Sequence, residues 1–236
     1  MKNFSKKKLE EVAENSLYTT FTNTKTIEYS YQIFKRHLKS GSILELGPAE
    51  GLMTQHLIKQ DKSLYVIEGS EVFSKELKIK FPNINIINSL FEDAQIEEKF
   101  DNIVLGHVLE HVENPKIVLE KVKSWLKPNG IVLSAVPNAR SLHRQAAVEM
   151  GITSSIFDMS PKDLHHGHMR IYTPETFKTE FLKAGFQIKI FGGYWLKPIS
   201  DNQIQESWSI DMLNAFMKLG ETYPDIAAEI YVIAKI

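Results

Sequence analysis

From residue 42 to residue 136 the chain alternates short, continuously apolar runs with stretches of helical periodicity. This alternation is typical of a parallel β-sheet covered by helices on both faces, because strands buried on both sides carry apolar residues without interruption. The predicted strands, including two that follow later, are Ile43–Leu46, Leu64–Ile67, Ile84–Ile87, Asn102–Leu105, Ile131–Val136, Phe186–Phe191 and Glu229–Lys235. We therefore predict an α/β fold.

The segments that flank this core suggest one domain over residues 1–236. Residues 1–40 have the pattern of two helices, the second predicted from Ile27 to Leu38, and would form a small helical cap. Residues 137–173 interrupt the rhythm; long irregular insertions in compact folds are often functional, so a lid is expected there. Residues 174–236 would complete the sheet, with a helix predicted over 203–219.

Composition excludes several classes of function. The 28 Lys and Arg balance the 29 Asp and Glu to a net charge of -1, which argues against a broad nucleic-acid-binding face. The absence of Cys excludes disulfides, thiolate catalysis and cysteine-ligated metals. No apolar run reaches the ~18 residues of a membrane span, and the basic start lacks the apolar core of a signal peptide. A cytoplasmic protein is the expectation.

A glycine-bearing loop joins the first predicted strand to a helix. Gly47 and Gly51 allow the backbone to approach a ligand closely, and the helix start offers backbone donors. The dinucleotide fingerprint would need Gly at positions 49 and 52, where this chain has Ala49 and Leu52. The pattern therefore disfavours a nicotinamide dinucleotide, and a phosphate-binding Gly-Lys-Ser/Thr ending is also missing.

The charges around this loop point to a cationic ligand without phosphates. Glu45 and Glu50 flank the loop, and no Lys or Arg lies between residues 41 and 57. Glu68 follows the next strand, about 20 residues past the first glycine, where a carboxylate can accept hydrogen bonds from both ribose hydroxyls. The sequence thus predicts a nucleoside site at the carboxyl ends of the first strands.

Taken together, three blocks resemble the class I S-adenosylmethionine-dependent methyltransferases. They are the Glu45-x-Gly47-x-x-x-Gly51 loop with Glu68, the run FDNIVLGHVLEHV over 100–112, and LKPNG over 126–130. The run HMRIYTPETF over 168–177 is similar to the small-molecule branch of that family. Two positions depart from the family pattern: Ala49 replaces the usual middle glycine, and Ser89 stands where an acid is common.

The resemblance implies a Rossmann-like three-layer sandwich whose seven-stranded, mostly parallel sheet has an antiparallel last strand. It also implies S-adenosylmethionine as cofactor. Tyr18 and Tyr29 of the cap would either close over the cofactor or form the core of the cap. The cofactor-binding residues carried over from the family are Glu45, Gly47, Pro48, Gly51, Glu68, Gly69, Ser70, Ser89, Leu90, Phe91, Gly106 and His107.

Methyl transfer depends mainly on alignment of acceptor, methyl carbon and leaving sulfur, and a base is needed only for an acceptor of high pKa. His107 beside the expected methyl group, and His165 and His166 in the insertion, are the candidate bases. Imidazoles also bind transition metals. The only acid noted beside the insertion's histidines is Asp163, so we predict no metal site.

The acceptor is predicted to be a small, anionic molecule such as a sugar, a sugar phosphate or a nucleotide-linked sugar, methylated on oxygen or nitrogen. Arginine binds carboxylates and phosphates through its planar fork. The candidate acceptor-binding residues are Arg140, Arg144, His168, Arg170 and Tyr194. Three alternatives remain open: an RNA or protein acceptor, a nicotinamide-dependent oxidoreductase, and a binding subunit without turnover. The pattern assigns no oligomeric state.

Overall fold

The computed structural model describes residues 2–60 and 63–236, with side chains from residue 6 onward. Its seven strands are β1 (Ile43–Leu46), β2 (Leu64–Glu68), β3 (Asn85–Asn88), β4 (Phe100–Gly106), β5 (Leu126–Pro137), β6 (Gln187–Tyr194) and β7 (Glu229–Lys235). They form one sheet in the order β3-β2-β1-β4-β5-β7-β6. β1 to β5 pair with one another in parallel, whereas β7 is antiparallel to both β5 and β6. The predicted α/β sheet with an antiparallel last strand is confirmed.

Helices cover both faces of this sheet. They are α1 (Lys2–Glu14), α2 (Phe21–Lys35), α3 (Thr54–Leu57), α4 (Glu71–Lys80), α5 (Pro115–Trp125), α6 (Leu142–Glu149), α7 (Pro161–His165), α8 (Pro174–Lys183), α9 (Asp201–Ser207) and α10 (Ile210–Thr222). The predicted three-layer arrangement is therefore confirmed. None of the helices in the described part of the chain is both long and apolar enough to cross a lipid bilayer.

The core lies on both sides of the sheet, as the continuous apolar runs predict. Along β5, Val132 and Val136 pack into the cluster under α5 and α8, whereas Leu133 and Ala135 pack into the cluster under α2 and α10. Alternate residues of a strand point to opposite faces, so a strand with no polar face requires a helical layer on each side.

Several boundaries differ from the predictions, and three of the differences are the largest. Helix α2 begins at Phe21, six residues before the predicted start at Ile27. The helix predicted over 203–219 is two helices, because Trp208 is extended and the Ser209 side chain accepts a hydrogen bond from the Met212 N–H to begin α10. Strand β5 begins at Leu126, before the Pro-Asn-Gly stretch that predicted a break, and the pairing with β4 shifts register there.

Candidate active site

A cavity of about 630 Å³ opens at the carboxyl ends of β1, β2 and β4. Small-molecule sites usually measure ~300–1,000 Å³, and open α/β sheets bind ligands at this edge. The walls come from the loops after these strands, from α1 and α2, from the 137–173 segment and from the chain that leads into α9. The predicted nucleoside site and the predicted lid thus border one space.

The glycine loop after β1 forms the floor of the cavity. Gly47 and Ala49 line it, with φ of 62° and 47°, in the left-handed region that favours glycine. At Ala49 this conformation is less favourable than it would be for glycine, by ~1 kcal/mol, because the alanine Cβ crowds the backbone. Gly51 has a different role: a Cβ there would lie 2.6 Å from the Phe81 ring, so this glycine allows close packing against α4 and does not line the cavity.

Two buried carboxylates stand at the ends of β1 and β2. Glu68 accepts hydrogen bonds from the backbone N–H of Ala49 (3.1 Å) and of Ser70 (2.8 Å). Glu45 accepts one from the Thr54 hydroxyl at 2.7 Å. Burial raises the pKa of Glu68 to about 7 and that of Glu45 to about 8. Both line the cavity, so a cationic ligand would favour their ionised forms.

The remaining predicted cofactor residues divide into two groups. Those that line the cavity are Pro48, Gly69, Ser89, Leu90, Phe91, Gly106 and Tyr18. Ser70 does not: its hydroxyl accepts from Phe73 N–H to cap α4 and donates to Glu10 of α1. Tyr29 lies outside the cavity as well, where its hydroxyl donates to Glu221 and its ring stacks on Tyr194.

His107 lies at the tip of β4 with an unusual backbone, φ 60°. Its Nδ1 is 3.3 Å from Glu110 Oε1 and 3.8 Å from Glu229 Oε2, and its Nε2 is 3.4 Å from the Tyr194 hydroxyl. Burial alone would lower the pKa of His107, yet the two carboxylates raise it above its ordinary value. Burial raises the pKa of Glu229 to about 7. The arrangement is a buried cluster of one imidazole and two carboxylates that borders the cavity.

The other candidate bases occupy different environments. His166 is 6% exposed, lines the cavity and packs its ring 4.6 Å from that of Tyr18. Burial and nearby cations lower the pKa of His166 to about 3, so its imidazole is neutral. His165 is exposed, and its Nε2 lies 2.8 Å from the Asn15 carbonyl, outside the cavity.

Of the predicted acceptor-binding residues, Arg144 and His168 line the cavity. Arg144 donates to Asp163 at 2.6 Å. Arg140 pairs instead with the exposed Glu175, away from the cavity. Arg170 donates to the main-chain carbonyls of residues 109, 112 and 113, and Tyr194 is fully buried behind His107. The structure thus places Arg140, Arg170 and Tyr194 outside the lining of the cavity.

Sequence reasoning missed several charged residues of the cavity. Lys197, 8% exposed, forms an ion pair with Asp201 at 2.6 Å and lies 4.8 Å from the Trp195 ring centroid. Lys162 donates to the other oxygen of Asp201 at 2.6 Å. Two lysines thus share one carboxylate, so this group of three side chains carries one excess positive charge. The sequence does not predict this group, because neither lysine belongs to a recognisable motif and the two meet only in the folded chain.

The loop end of the cavity fits a nucleoside with a positive charge and no phosphate. Glu68 presents a buried carboxylate whose oxygens keep acceptor capacity for hydroxyl donors, and Gly47 leaves open the space that a side chain would fill. Fold and site together define an α/β enzyme of the Rossmann-like class with an acidic cofactor crevice. These features fit S-adenosylmethionine.

The comparisons with known proteins agree. Residues 22–189 match the family described as methyltransferase domain, and the chain belongs to that family. A ubiquinone biosynthesis O-methyltransferase from Rickettsia akari is 25% identical over 194 residues, covering 79% of this chain and 74% of the relative.

Two solved structures share the fold. A methyltransferase from Thermotoga maritima aligns with a TM-score of 0.65 at 13% identity, covering 96% of this chain and 99% of that one. The glycopeptide N-methyltransferase MtfA in complex with S-adenosylmethionine aligns with a TM-score of 0.59 at 13% identity, covering 87% and 85%. The protein is an S-adenosylmethionine-dependent methyltransferase, which sets the nicotinamide alternative aside.

Proposed function

We propose that this enzyme methylates an oxygen atom of a small anionic acceptor. The observation that carries the proposal is that the cavity is lined by carboxylates at the glycine loop, Glu45 and Glu68, and by two lysines from other segments, Lys162 and Lys197, that share the single acid Asp201. A cationic cofactor and an anionic acceptor would each be attracted to one of these two groups. Oxygen is favoured over nitrogen because the Rickettsia akari relative is named an O-methyltransferase.

Lys197 is the residue that we expect to contact the acceptor's anionic group. It is nearly buried, and its partner Asp201 is shared with Lys162, so an incoming carboxylate or phosphate would complete the pairing. Charge-assisted hydrogen bonds of this kind are stronger than neutral ones. Arg144 has its own acid, Asp163, and therefore contributes less to recognition in this proposal.

Bound S-adenosylmethionine supplies a methyl group on a positively charged sulfur, and the protein's task is alignment. We propose that the loop residues and Glu68 fix the nucleoside while the lysines fix the acceptor. The apolar side chains Leu52, Met53 and Trp195 along the cavity would exclude water between the two.

His107 is our candidate for the group that takes the acceptor's proton. It borders the cavity beside two carboxylates that stabilise its charged form, and a general base must lie within hydrogen-bond reach of the proton it removes. His166 is the second candidate. We expect no catalytic role for His165, because its ring is hydrogen-bonded outside the cavity. Turnover of the His107→Gln, His166→Gln and His165→Gln variants ranks the three.

The experiment compares matched acceptors: an aromatic hydroxycarboxylate with its amide, and a sugar phosphate with the free sugar. Formation of S-adenosylhomocysteine is measured. We expect turnover of at least one anionic acceptor, and a KM for it that rises ~10–100-fold in Lys197→Met with a smaller change in kcat, because a charged hydrogen bond is worth ~1.5–3 kcal/mol.

Lys218→Met is the matched control, since this lysine is exposed on α10, outside the cavity. Its KM should equal that of the wild type. Equal use of the anionic and neutral members of each pair, together with an unchanged KM in Lys197→Met, would refute an anionic acceptor.

A further inference from the structure

Two separate segments bring three metal-binding side chains together at the cavity wall. Glu110 and His111 come from the turn after β4, and His168 comes from the end of the 137–173 segment. One potential ligand atom from each lies within 4.8 Å of the others, and all three residues line the cavity. The sequence disfavours a metal because Asp163 is the only acid within five residues of the histidines of 165–168; the fold supplies Glu110 from another element.

The main chain holds the two segments in this arrangement. The Met169 N–H donates to the Glu110 carbonyl at 2.8 Å, and Arg170 donates to the Leu109 carbonyl at 2.9 Å. The Tyr172 hydroxyl donates to the same Leu109 carbonyl at 3.3 Å. His168 is thereby fixed above the turn that carries Glu110 and His111, which preorganises the three side chains.

Glu110 lacks the partners that a buried carboxylate normally has. Its side chain is 1% exposed, and within the described part of the chain neither oxygen accepts a hydrogen bond in good geometry, although His107 Nδ1 lies 3.3 Å from one of them. A buried carboxylate without full compensation is costly. A bound cation would supply the missing compensation.

His168 has an acid beside it of the kind that typically supports a metal-binding histidine. His168 Nδ1 lies 3.2 Å from an oxygen of Asp163, whose other oxygen accepts from Arg144 at 2.6 Å. Such second contacts orient an imidazole and leave its other nitrogen free for a metal.

We propose that Glu110, His111 and His168 bind a divalent transition-metal ion such as Zn²⁺ or Co²⁺. Two imidazoles and one carboxylate suit these ions, and three protein ligands leave a coordination position open toward the cavity. Ligands of zinc lie ~2.0–2.2 Å from it, so the ion would draw the three atoms inward. The idea that the open position holds the acceptor oxygen rests on the proposed function. The binding of the ion is independent of that function.

The test uses the full chain, stripped of metal by a chelator and titrated with Co²⁺. We expect one equivalent to bind with visible absorption bands of low-coordinate cobalt, which Zn²⁺ then abolishes by displacement. His168→Gln should weaken Co²⁺ binding by at least ~100-fold, because even outer partners of a metal site change affinity by ~10–100-fold.

His165→Gln is the matched control, since this neighbouring histidine is exposed and lies outside the cluster. It should bind Co²⁺ like the wild type. Glu110→Gln should lose Co²⁺ binding, and its S-adenosylmethionine titration reports separately whether that variant folds and keeps the cofactor crevice. Absence of cobalt bands up to millimolar Co²⁺, or unchanged binding in His168→Gln, would overturn the metal site while leaving the methyltransferase assignment intact.

Discussion

Glu68 carries the clearest pH dependence at the scale of single residues. Burial raises its pKa in the free protein to about 7, from an ordinary value of 4.5. The folded chain therefore holds an extra proton between these values, and the stability contributed by the neutral form is lost as the pH rises through that window. Binding of the cationic cofactor requires the ionised form, so its affinity has the opposite dependence.

We predict that S-adenosylmethionine binds ~10-fold more weakly at pH 6 than at pH 8, because the carboxyl group must first lose its proton. Glu45, whose pKa is raised to about 8, gives the binding affinity the same direction of pH dependence. The nearby carboxylate of Glu10 adds to the effect of burial in raising the pKa of Glu68. Titration calorimetry of the wild type and of Glu68→Gln at both pH values measures the effect. Protonation of the ligand itself affects both proteins equally, so the comparison isolates the contribution of Glu68. If the affinity changed with pH equally in the wild type and in Glu68→Gln, Glu68 would be excluded as the source of the pH dependence.

Residues of the local motif could be predicted from the sequence, whereas residues brought in from a distance could not. Glu45 and Glu68 follow adjacent strands, and parallel strands place their carboxyl ends at one edge, so spacing alone predicts their convergence. Lys197 and Glu229 reach the cavity from the last quarter of the chain, through strand pairings that no local pattern specifies.

At the scale of elements, the turn after β4 depends on Arg170. Its guanidinium donates to the carbonyls of Leu109, Val112 and Glu113, three groups that would otherwise lack these charged donors. Lysine has one compact ammonium group and cannot span the three. We predict that Arg170→Lys lowers the free energy of unfolding by ~1–3 kcal/mol, measured by urea denaturation.

Arg140→Lys provides the comparison, because its exposed pairing with Glu175 contributes little. The predicted outcome is a clear loss in the first variant and near-wild-type stability in the second. Equal losses of unfolding free energy in the two variants would mean that Arg170 has no special role in holding the turn. The predicted acceptor-binding role of Arg170 would then be the better explanation.

Whether an element boundary could be predicted from the sequence also depends on whether its cause is local or distant in the chain. The strands were predictable because burial on both faces leaves a continuous apolar run. The break at Trp208 was not, since helical periodicity continues through it while Ser209 begins a new helix. The early start of α2 at Phe21 likewise depends on contacts of the cap, where Thr22 and Thr26 are buried despite their polarity.

At the scale of the whole molecule, the acids of the glycine loop and the two lysines reach one cavity from different parts of the sheet. The carboxylates lie at the ends of β1 and β2, near one edge of the sheet, and the lysines come from segments that follow β5 and β6. With a net charge of -1 overall, the separation is local to the cavity and does not reflect the composition of the chain. A cofactor and an acceptor of opposite charge would enter the cavity in fixed orientation.

Calorimetric titration of the full chain with S-adenosylmethionine, with NADH as the competing cofactor, tests the acidic crevice most directly. We predict binding of S-adenosylmethionine at one site, no heat from NADH, and a loss of ~1–3 kcal/mol of binding free energy in Glu68→Gln, as for a buried hydrogen bond to ribose. Glu71→Gln, an exposed acid three residues further on, should bind like the wild type. Tight binding of NADH, or an affinity for S-adenosylmethionine that Glu68→Gln leaves unchanged, would contradict the account.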